Sequence, residues 1–366
     1  MLLVIGSLAD QGGAERFTLG LAANLPRTRI EPWLCVTRGA SEDALRTLRA
    51  ADVPCLTLGR RGRWDSYRFA PLLRLLRQQR FDVLHAHMFG SNLWGTLIGR
   101  FARVPVVLAH EHTWSYSGNP LRAWLDGRVI GRLSSRFIAV SQADALRMVE
   151  YEHVPADRVL VMPTAYVPRT AAKVNIRAEL GMRRTDPLVA TAAVLRPQKA
   201  IEVLLDAFTL LRREVPRVHL VIAGDGPVRA ELEQRMRGSG NQERVHFLGV
   251  RRDVESILRQ ADVAALSSDF EGMPLFAFEC MASGTPLVST SVGGLPELIE
   301  DGVSGVLVPP RNPKALAAGL SSLLADTARR ERISAAASER LRGYEIDRVA
   351  ADYAELYERL VSEAAR

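Results

Sequence analysis

Short apolar runs alternate with amphipathic stretches along nearly the whole chain, and this alternation restricts the possible folds more than any other feature. Runs such as Leu2–Gly6 and Val83–His87 fit buried strands, whereas the segments between the runs carry apolar residues at helical spacing. Repeated strand–helix units predict parallel sheets covered by helices. The 366 residues are long for a single core. We therefore predict an α/β protein with two doubly wound, Rossmann-like domains that face each other across a cleft.

The predicted elements divide between two halves and a C-terminal helix. Strands are expected at Leu2–Gly6, Pro32–Thr37, Val83–His87, Val106–Ala109 and Arg136–Ser141, and then at Leu188–Leu195, His219–Ala223, Val245–Leu248, Val263–Leu266 and Pro286–Thr290. Helices are expected in the first half at Ala14–Leu25, Ser41–Ala50, Tyr67–Gln79, Ser91–Arg100 and Gln142–Tyr151. Prolines interrupt the pattern in Val161–Lys173. We predict a first domain over residues 1–165, a second over 166–344, and a helix over 345–366 that packs back toward the first.

The net charge of +7 lies entirely in the first half of the chain. Residues 1–165 contain 21 arginines, no lysine and 14 acidic residues, whereas residues 166–366 hold 27 basic and 27 acidic groups. Such a basic domain fits an anionic membrane surface or an anionic acceptor. An arginine-rich surface that only keeps the protein in solution is the alternative. No nucleic-acid partner is expected.

Three scattered cysteines, none in a C-x-x-C pair, argue against a disulfide framework and favour a reducing, cytoplasmic location. The N-terminal apolar run is too short for a signal peptide, and every other apolar run is too short to cross a bilayer. We expect a cytoplasmic protein that does not span a membrane.

Ligands of open α/β sheets bind beyond the carboxyl ends of the strands. After the strand Val263–Leu266, two glutamates, Glu271 and Glu279, enclose seven residues. The glycine and proline that follow Glu271 predict a loop that enters a helix, with Glu279 inside the helix. The segment Gly272, Met273, Pro274 and Leu275 is then expected to lie against phosphate and to bind it through the backbone N–H groups that the segment carries, Pro274 having none. Solvated glutamates beside a core helix are the alternative for either glutamate alone.

Two further strand ends carry glycines. Gly12 and Gly13 precede a helix whose N-terminus can receive an anion, although a plain turn is equally consistent. Gly224-Asp225-Gly226 follows a strand but lacks the third glycine of a dinucleotide fingerprint, because Arg229 stands there. This second pattern indicates a tight turn and disfavours an NAD site.

Cations and histidines follow other strands. Arg196 and Lys199 lie after a strand, where positive charge would stabilise a departing diphosphate. Two H-x-H pairs, His85-Ala-His87 and His110-Glu-His112, also lie at strand ends. Residues two apart on a strand face the same way, so each pair could converge on a metal. Buried structural histidines are the alternative.

Taken together, these segments resemble the retaining glycosyltransferases of family 4, which have the GT-B fold. The most similar stretch is Ser267–Pro310, which carries the family's E-x7-E segment followed by its G-x-P, G-G-x-x-E and G-x-L-V-P-P landmarks. Further matches are Gly12-Gly13, His85-Ala-His87-Met88, Glu111-His112, Gly224-Asp225-Gly226-Pro227 and Phe247-Leu248-Gly249, so the resemblance covers nearly the whole chain.

The resemblance implies a role for each matching position. Glu271 would hold the sugar of a UDP- or GDP-sugar donor, Glu279 the ribose, and Lys199 the diphosphate. His112 would contact the donor sugar and diphosphate. Further donor contacts are expected at Gly12, Gly13, Gly224, Gly249, Val250 and Gly272 to Leu275, and His110, His87 and Glu15 are additional candidates. No cofactor and no metal are expected, since protein cations would replace the metal.

The chain departs from the family pattern in two places. Val194 stands where the family has an arginine and Ala200 where it has a glycine. Arg196, two residues beyond Val194, is expected to point to the same side of the strand and to supply the missing charge. The junction tripeptide Pro163-Thr164-Ala165 replaces the frequent P-N-G.

The resemblance also suggests a lipid-linked or polysaccharide acceptor that enters along the basic first domain. Arg60–Arg80 has the pattern of a basic amphipathic segment suited to an anionic membrane, unless its leucines belong to the core.

Three rival functions stay open: a sugar-nucleotide epimerase of the same fold, a metal-dependent hydrolase that uses the histidine pairs, and a binding module without catalytic activity. The presence of both glutamates and Lys199 disfavours the last.

Overall fold

The computed structural model describes residues 1–9, 12–62, 65–112, 119–169, 172–237 and 240–366. The chain divides into two compact units, of which the first comprises residues 1–167 and 343–366 and the second residues 168–342. Each unit has its own parallel sheet and its own core. The predicted α/β fold with two doubly wound sheets is confirmed.

The first unit contains a seven-stranded parallel sheet in the order β3-β2-β1-β4-β5-β6-β7. Its strands are β1 Leu2–Ile5, β2 Trp33–Val36, β3 Cys55–Thr57, β4 Val83–His87, β5 Val106–Glu111, β6 Arg136–Ala139 and β7 Val159–Val161. Its helices are α1 Gly13–Asn24, α2 Glu42–Ala50, α3 Ala70–Gln79, α4 Phe89–Phe101, α5 Pro120–Leu125, α6 Gly131–Leu133, α7 Gln142–Glu150 and the C-terminal Ile346–Ala364. That last helix packs on α1 and buries Tyr353 and Tyr357 in the core of this unit.

The second unit contains a six-stranded parallel sheet in the order β10-β9-β8-β11-β12-β13. Its strands are β8 Leu188–Ala192, β9 His219–Ala223, β10 Val245–Gly249, β11 Val263–Leu266, β12 Leu287–Thr290 and β13 Val306–Val308. Its helices are α8 Ile176–Glu179, α9 Ile201–Glu214, α10 Arg229–Arg237, α11 Val254–Leu258, α12 Leu275–Ser283, α13 Leu295–Leu298, α14 Pro313–Ala325 and α15 Thr327–Leu341. The C-terminal helix Ile346–Ala364, which belongs to the first unit, is numbered α16.

Three strands escaped the prediction, and all three lie at an edge of a sheet: β3, β7 and β13. Each is only three residues long, and five of the six residues of β3 and β7 are half-buried. A run of three residues is shorter than the about four to eight residues by which a strand is recognised in a sequence. Length therefore separates these strands from β10, the edge strand that was predicted and that is also mostly half-buried.

Helix α3 decides between the two interpretations of the Arg60–Arg80 segment, a membrane-binding surface or a helix whose leucines belong to the core. Leu72 and Leu76 are fully buried and pack in the core beneath the sheet, so the leucines do not form a free membrane-facing stripe. Arg63 and Trp64, which belong to the same predicted segment, lie outside the described residues. Among the helices of the described ranges, none is both long enough and apolar enough to cross a bilayer.

Candidate active site

Glu271 is held by two neighbours at the carboxyl edge of the second sheet. It lies on the loop after β11, and only 6% of its surface is exposed. Lys199 Nζ donates to the Glu271 Oε1 atom at 2.6 Å, and Ser268 Oγ donates to the same oxygen at 2.5 Å. Lys199 stays partly exposed beside a small cavity that both side chains line. A ligand at this edge would meet a fixed carboxylate and an ammonium group that can move to a stronger anion.

Helix α12 begins directly after this loop, as the sequence predicted. Pro274 occupies the N-cap position and no side chain caps the helix, so the N–H groups of Leu275 and Phe276 are open to an anion, whereas Ala277 N donates to Pro274 O at 3.1 Å. Glu271 precedes the helix, and Glu279 lies one turn inside it and is buried. Gly272 and Met273 are buried in the connecting turn. Glu271, Lys199 and the first turn of α12 therefore line one small cavity, and Glu279 follows one turn later in the same helix.

The Glu271 loop rests on a second turn, which the sequence analysis noted only as a family landmark. Gly293 has φ +56°, and a Cβ atom there would lie 1.7 Å from the Glu271 carbonyl oxygen. Gly294 N donates to Gly272 O at 2.8 Å, and Thr290 Oγ1 donates to Ser268 O at 2.7 Å. The glycine pair that begins three residues after the end of β12 was the available signal for this support.

Close packing against the backbone after β8 explains why glycines follow β9. A Cβ atom on Gly224 would lie 1.9 Å from the Ala193 carbonyl oxygen, and one on Gly226 would lie 2.3 Å from that of Leu195. Gly224 N also donates to Gly249 O at 2.7 Å. Val250, the next residue, is 65% exposed. These contacts bring the ends of β8, β9 and β10 together, and the expected contacts with a donor stay a prediction.

The segment that departs from the family pattern does not have the expected geometry. Strand β8 ends at Ala192, so Val194 and Arg196 both lie beyond it. The expectation that strand alternation places them on the same side is therefore wrong, because Arg196 N bonds to Val194 O in a turn. Arg196 is exposed, and it precedes the short helical turn that carries Lys199. Ala200 has φ +45°, the left-handed conformation that explains a glycine at this place in the family.

The glycine pair of the first unit lies at the start of α1. Gly12 is the N-cap residue with extended backbone and without a side-chain cap, and Gly13 is the first helical residue. Glu15 stands in the first turn and is half-buried. The preceding Asp10 and Gln11 lie outside the described residues.

The two predicted histidine pairs form one cluster in the first unit. His85, His87 and His110 are completely buried, and His112 at the end of β5 is half-buried. Ring centroids lie 4.2 Å apart for His85 and His87 and 4.1 Å apart for His110 and His112. Burial lowers the pKa of His85 and of His112 to about 3, and it lowers the pKa of His87 and His110 well below the usual value. Of the four, His112 is the most accessible to a ligand.

Ring nitrogens of His85, His87 and His110 lie within 4.8 Å of one another, a spacing at which three imidazoles can hold one ion. The rings around them belong to Phe17 and Tyr353, which carry no negative charge at neutral pH. A divalent ion placed there would be buried among neutral groups, which is costly without a carboxylate or thiolate ligand. We propose no metal at this cluster, because none of the grouped ligand atoms would balance the charge of the ion.

A buried charge group next to the cluster was not predicted. Arg122 Nη2 donates to Glu111 Oε2 at 3.3 Å and lies 3.6 Å from Asp126 Oδ2 through Nε. Burial raises the pKa of Glu111 to about 7 and that of Asp126 to about 8, although Arg122 opposes both shifts. Asp126 opens a π-helical turn over residues 126–130. Isolated acidic residues far apart in sequence gave no signal for this group.

Two family models together match nearly the whole chain. Residues 11–168 match the model of Glycosyltransferase Family 4, and residues 173–340 match that of the Glycosyl transferases group 1. The chain is similar to the D-inositol 3-phosphate glycosyltransferase of Xylanimonas cellulosilytica, with 34% identity over 299 residues, 76% of this chain and 72% of that protein. It is also similar to the D-inositol 3-phosphate glycosyltransferase of Thermobispora bispora, with 30% identity across 96% of this chain and 86% of that one.

Solved structures share the fold. Anabaena Alr3699/HepE, crystallised with UDP and glucose, superposes with a TM-score of 0.83 at 22% identity and covers 98% of this chain and 99% of its own. WaaG, a glycosyltransferase involved in lipopolysaccharide biosynthesis, superposes with a TM-score of 0.73 at 14% identity over 98% of this chain and 99% of its own. With two doubly wound units, matches to both family models and relatives of this identity, the chain belongs to the family 4 glycosyltransferases, enzymes of GT-B fold that transfer sugars.

Proposed function

We propose that the protein transfers a sugar from a nucleotide-diphosphate-sugar to a hydroxyl acceptor with retention of the anomeric configuration. The observation that carries the proposal is the pair of Lys199 and Glu271 beside the uncapped start of α12. A cation and free N–H groups suit a diphosphate, and a fixed carboxylate suits sugar hydroxyls.

In the proposed reaction, Lys199 and the N–H groups of α12 stabilise the charge that grows on the departing diphosphate. Glu271 then releases Lys199 and accepts hydrogen bonds from the transferred sugar, while Glu279 accepts them from the ribose. The bond between the anomeric carbon and the diphosphate oxygen breaks, the acceptor hydroxyl attacks that carbon from the same face, and its proton passes to the departing diphosphate oxygen. This route needs no covalent intermediate and no metal, because protein cations and helix N–H groups take up the charge.

For the donor, we propose a UDP-sugar before a GDP-sugar. Crystal structures of the Anabaena protein are complexes with UDP, with UDP and glucose, and with UDP-glucose, and these ligands support the preference for a UDP-sugar. For the acceptor, we propose an anionic hydroxyl compound, lipid-linked or a polysaccharide precursor for the cell surface. The excess of positive charge in residues 1–165 and the relatives named for D-inositol 3-phosphate support an anionic acceptor.

His112 is proposed to take part in transfer as a neutral group. It stands at the carboxyl end of β5, where ligands of parallel sheets bind. Its pKa of about 3 keeps the ring uncharged at neutral pH.

We also propose that the first unit binds an anionic membrane surface, through α4 and its neighbours rather than through α3. Phe101 is 66% exposed, with the Arg77 guanidinium 5.1 Å from its ring centre. Leu97 and Leu133 are exposed nearby, with Arg103 and Arg132. We expect co-sedimentation with phosphatidylglycerol vesicles at low salt that weakens at high salt and in a Phe101→Ser variant. Equal binding to phosphatidylcholine vesicles, or none at low salt, would contradict it.

The donor proposal is tested by the melting temperature of the purified protein with UDP, GDP, ADP, dTDP or CMP, without added metal. A ligand that binds only the folded chain raises the melting temperature. We expect the largest rise with UDP and little rise in a Glu279→Ala variant. If no nucleotide raises the melting temperature of the wild type, the proposal fails. Retention is tested separately by the anomeric configuration of the product.

A further inference from the structure

We propose that His87 is a positioning residue that fixes His112 in one tautomer, with Nδ1–H offered to an anionic oxygen of the substrate. The identity of that oxygen rests on the proposed function, whereas the tautomer rests on the first unit alone. The two parts can therefore fail separately.

A direct hydrogen bond joins the two rings. His87 Nδ1 and His112 Nε2 lie 3.0 Å apart, with ring centroids at 5.3 Å and an angle of 26° between the planes. His87 is completely buried at the end of β4, and His112 is half-buried just beyond β5. The buried ring is therefore placed to hold the more accessible one.

Only one proton can occupy this hydrogen bond. Burial keeps both imidazoles neutral at pH 7, because it lowers the pKa of His112 to about 3 and that of His87 well below its usual value. A neutral imidazole carries one N–H and one bare nitrogen. Either His87 donates through Nδ1, or His112 donates through Nε2.

The environment of the other His87 nitrogen decides between these two arrangements. His87 Nε2 is buried and has no hydrogen-bond partner among the described residues. If His87 accepted through Nδ1, its proton would sit on Nε2 as an unsatisfied buried donor. Unsatisfied buried N–H groups are rarer in proteins than acceptors that lack a partner. His87 therefore donates, and the proton of His112 lies on Nδ1.

Hydrogen bonds also fix the backbone of His110, two residues before His112. The Asn92 side chain accepts from His110 N and donates to His110 O, both at 3.1 Å. Met88 N donates to the same carbonyl at 2.9 Å, and Met88 itself has φ +72°, an unfavourable conformation for a residue with a side chain. The end of β5 is thus fixed two residues before His112, so ring and backbone are both oriented before a ligand arrives.

The tautomer is measured by two-bond ¹⁵N–¹H NMR correlation on the full chain labelled with ¹⁵N-histidine, because the spectrum separates protonated from bare ring nitrogens. We expect His112 to be protonated on Nδ1 in the wild type. In His87→Ala the Nε2–H form should grow, and in His87→Asn, whose amide N–H lies near the position of Nδ1, the wild-type form should return. A wild-type His112 protonated on Nε2 overturns the proposal, even if the variants fail to fold.

Kinetics supply the functional readout. We expect kcat/KM to fall about 10²-fold in His87→Ala and to recover largely in His87→Asn. His85→Ala is the matched control, because His85 is equally buried on the same strand face but bonds to Tyr357 at 2.8 Å rather than to His112. His85→Ala should lose stability and keep kcat/KM per folded molecule. Equal losses of kcat/KM in His87→Ala and His85→Ala would show that His87 only stabilises the fold, and would overturn its positioning role. The expected tautomer without transfer from any nucleotide-sugar would instead count against the proposed function.

Discussion

The two units hold their polar groups in opposite ways. In the second unit, Glu271 and Lys199 form a charged pair at the end of the sheet, next to a helix N-terminus and a small cavity. In the first unit, four histidines stack as neutral rings, three of them without any exposed surface. The charged pair can exchange partners with an anionic ligand, whereas the neutral cluster can only orient hydrogen bonds. The second unit therefore suits charge stabilisation, and the first suits the rigid positioning of hydrogen bonds.

The strongest test of the charged site is Glu271→Ala. Removing the carboxylate takes away the proposed sugar contact and frees Lys199 from its present partner. We expect kcat to fall about 10²- to 10³-fold with the fold retained. The control is Asp206→Asn, which breaks an exposed ion pair with Arg235 and should leave transfer unchanged. A Glu271→Ala enzyme with wild-type turnover would remove Glu271 from the site.

Backbone support of the same site is tested by Gly293→Ala. Alanine there meets the Glu271 carbonyl in addition to an unfavourable positive φ, whereas Gly302→Ala meets the positive φ alone with no atom nearby. We expect Gly302→Ala to cost about 1–2 kcal/mol of unfolding free energy and Gly293→Ala clearly more, with loss of transfer. Urea denaturation and initial rates measure both. Equal costs would show that the Glu271 loop can move away.

The neutral cluster predicts a pH dependence of unfolding free energy in the first unit. The pKa values of its histidines are lowered in the folded state, so their contribution is full above pH 6.5 and is lost as pH falls toward about 3. The pKa values of Glu111 and Asp126 are raised, so their contribution is full at low pH and is lost as pH rises through about 7 and 8. These opposite signs place the maximum near neutral pH, about 6.5. Denaturation at a series of pH values that showed a steady rise from pH 6 to pH 9 would contradict this account.

The smallest expected effect belongs to Ala200→Gly next to Lys199. Glycine relieves the left-handed strain at φ +45°, but it loses a buried methyl group and gains freedom in the unfolded chain. These terms nearly cancel, so the unfolding free energy should change by less than about 1 kcal/mol, with donor binding kept. A large gain in binding would show that Ala200 distorts the site.

Most of the fold was predictable, because buried central strands and amphipathic helices leave strong periodic signals. The strand β4 was predicted to the residue, and the placement of Glu271 before α12 and Glu279 within it followed from one glycine and one proline. Three of the four edge strands, β3, β7 and β13, were missed because a run of only three residues carries little pattern. The support of Glu271 by Gly293 and the bond between His87 and His112 join residues distant in sequence, so local spacing carries no direct signal for them.

We propose that the second unit binds a nucleoside diphosphate through Lys199, the cation now paired with Glu271. Isothermal titration of UDP into the wild type, Lys199→Met and Lys314→Met tests it most directly, because Lys314 is an exposed lysine on α14 of the same unit. We expect Lys314→Met to bind UDP like the wild type and Lys199→Met to bind it about tenfold more weakly or worse, because a charge-assisted hydrogen bond is lost. Wild-type affinity in Lys199→Met would contradict it.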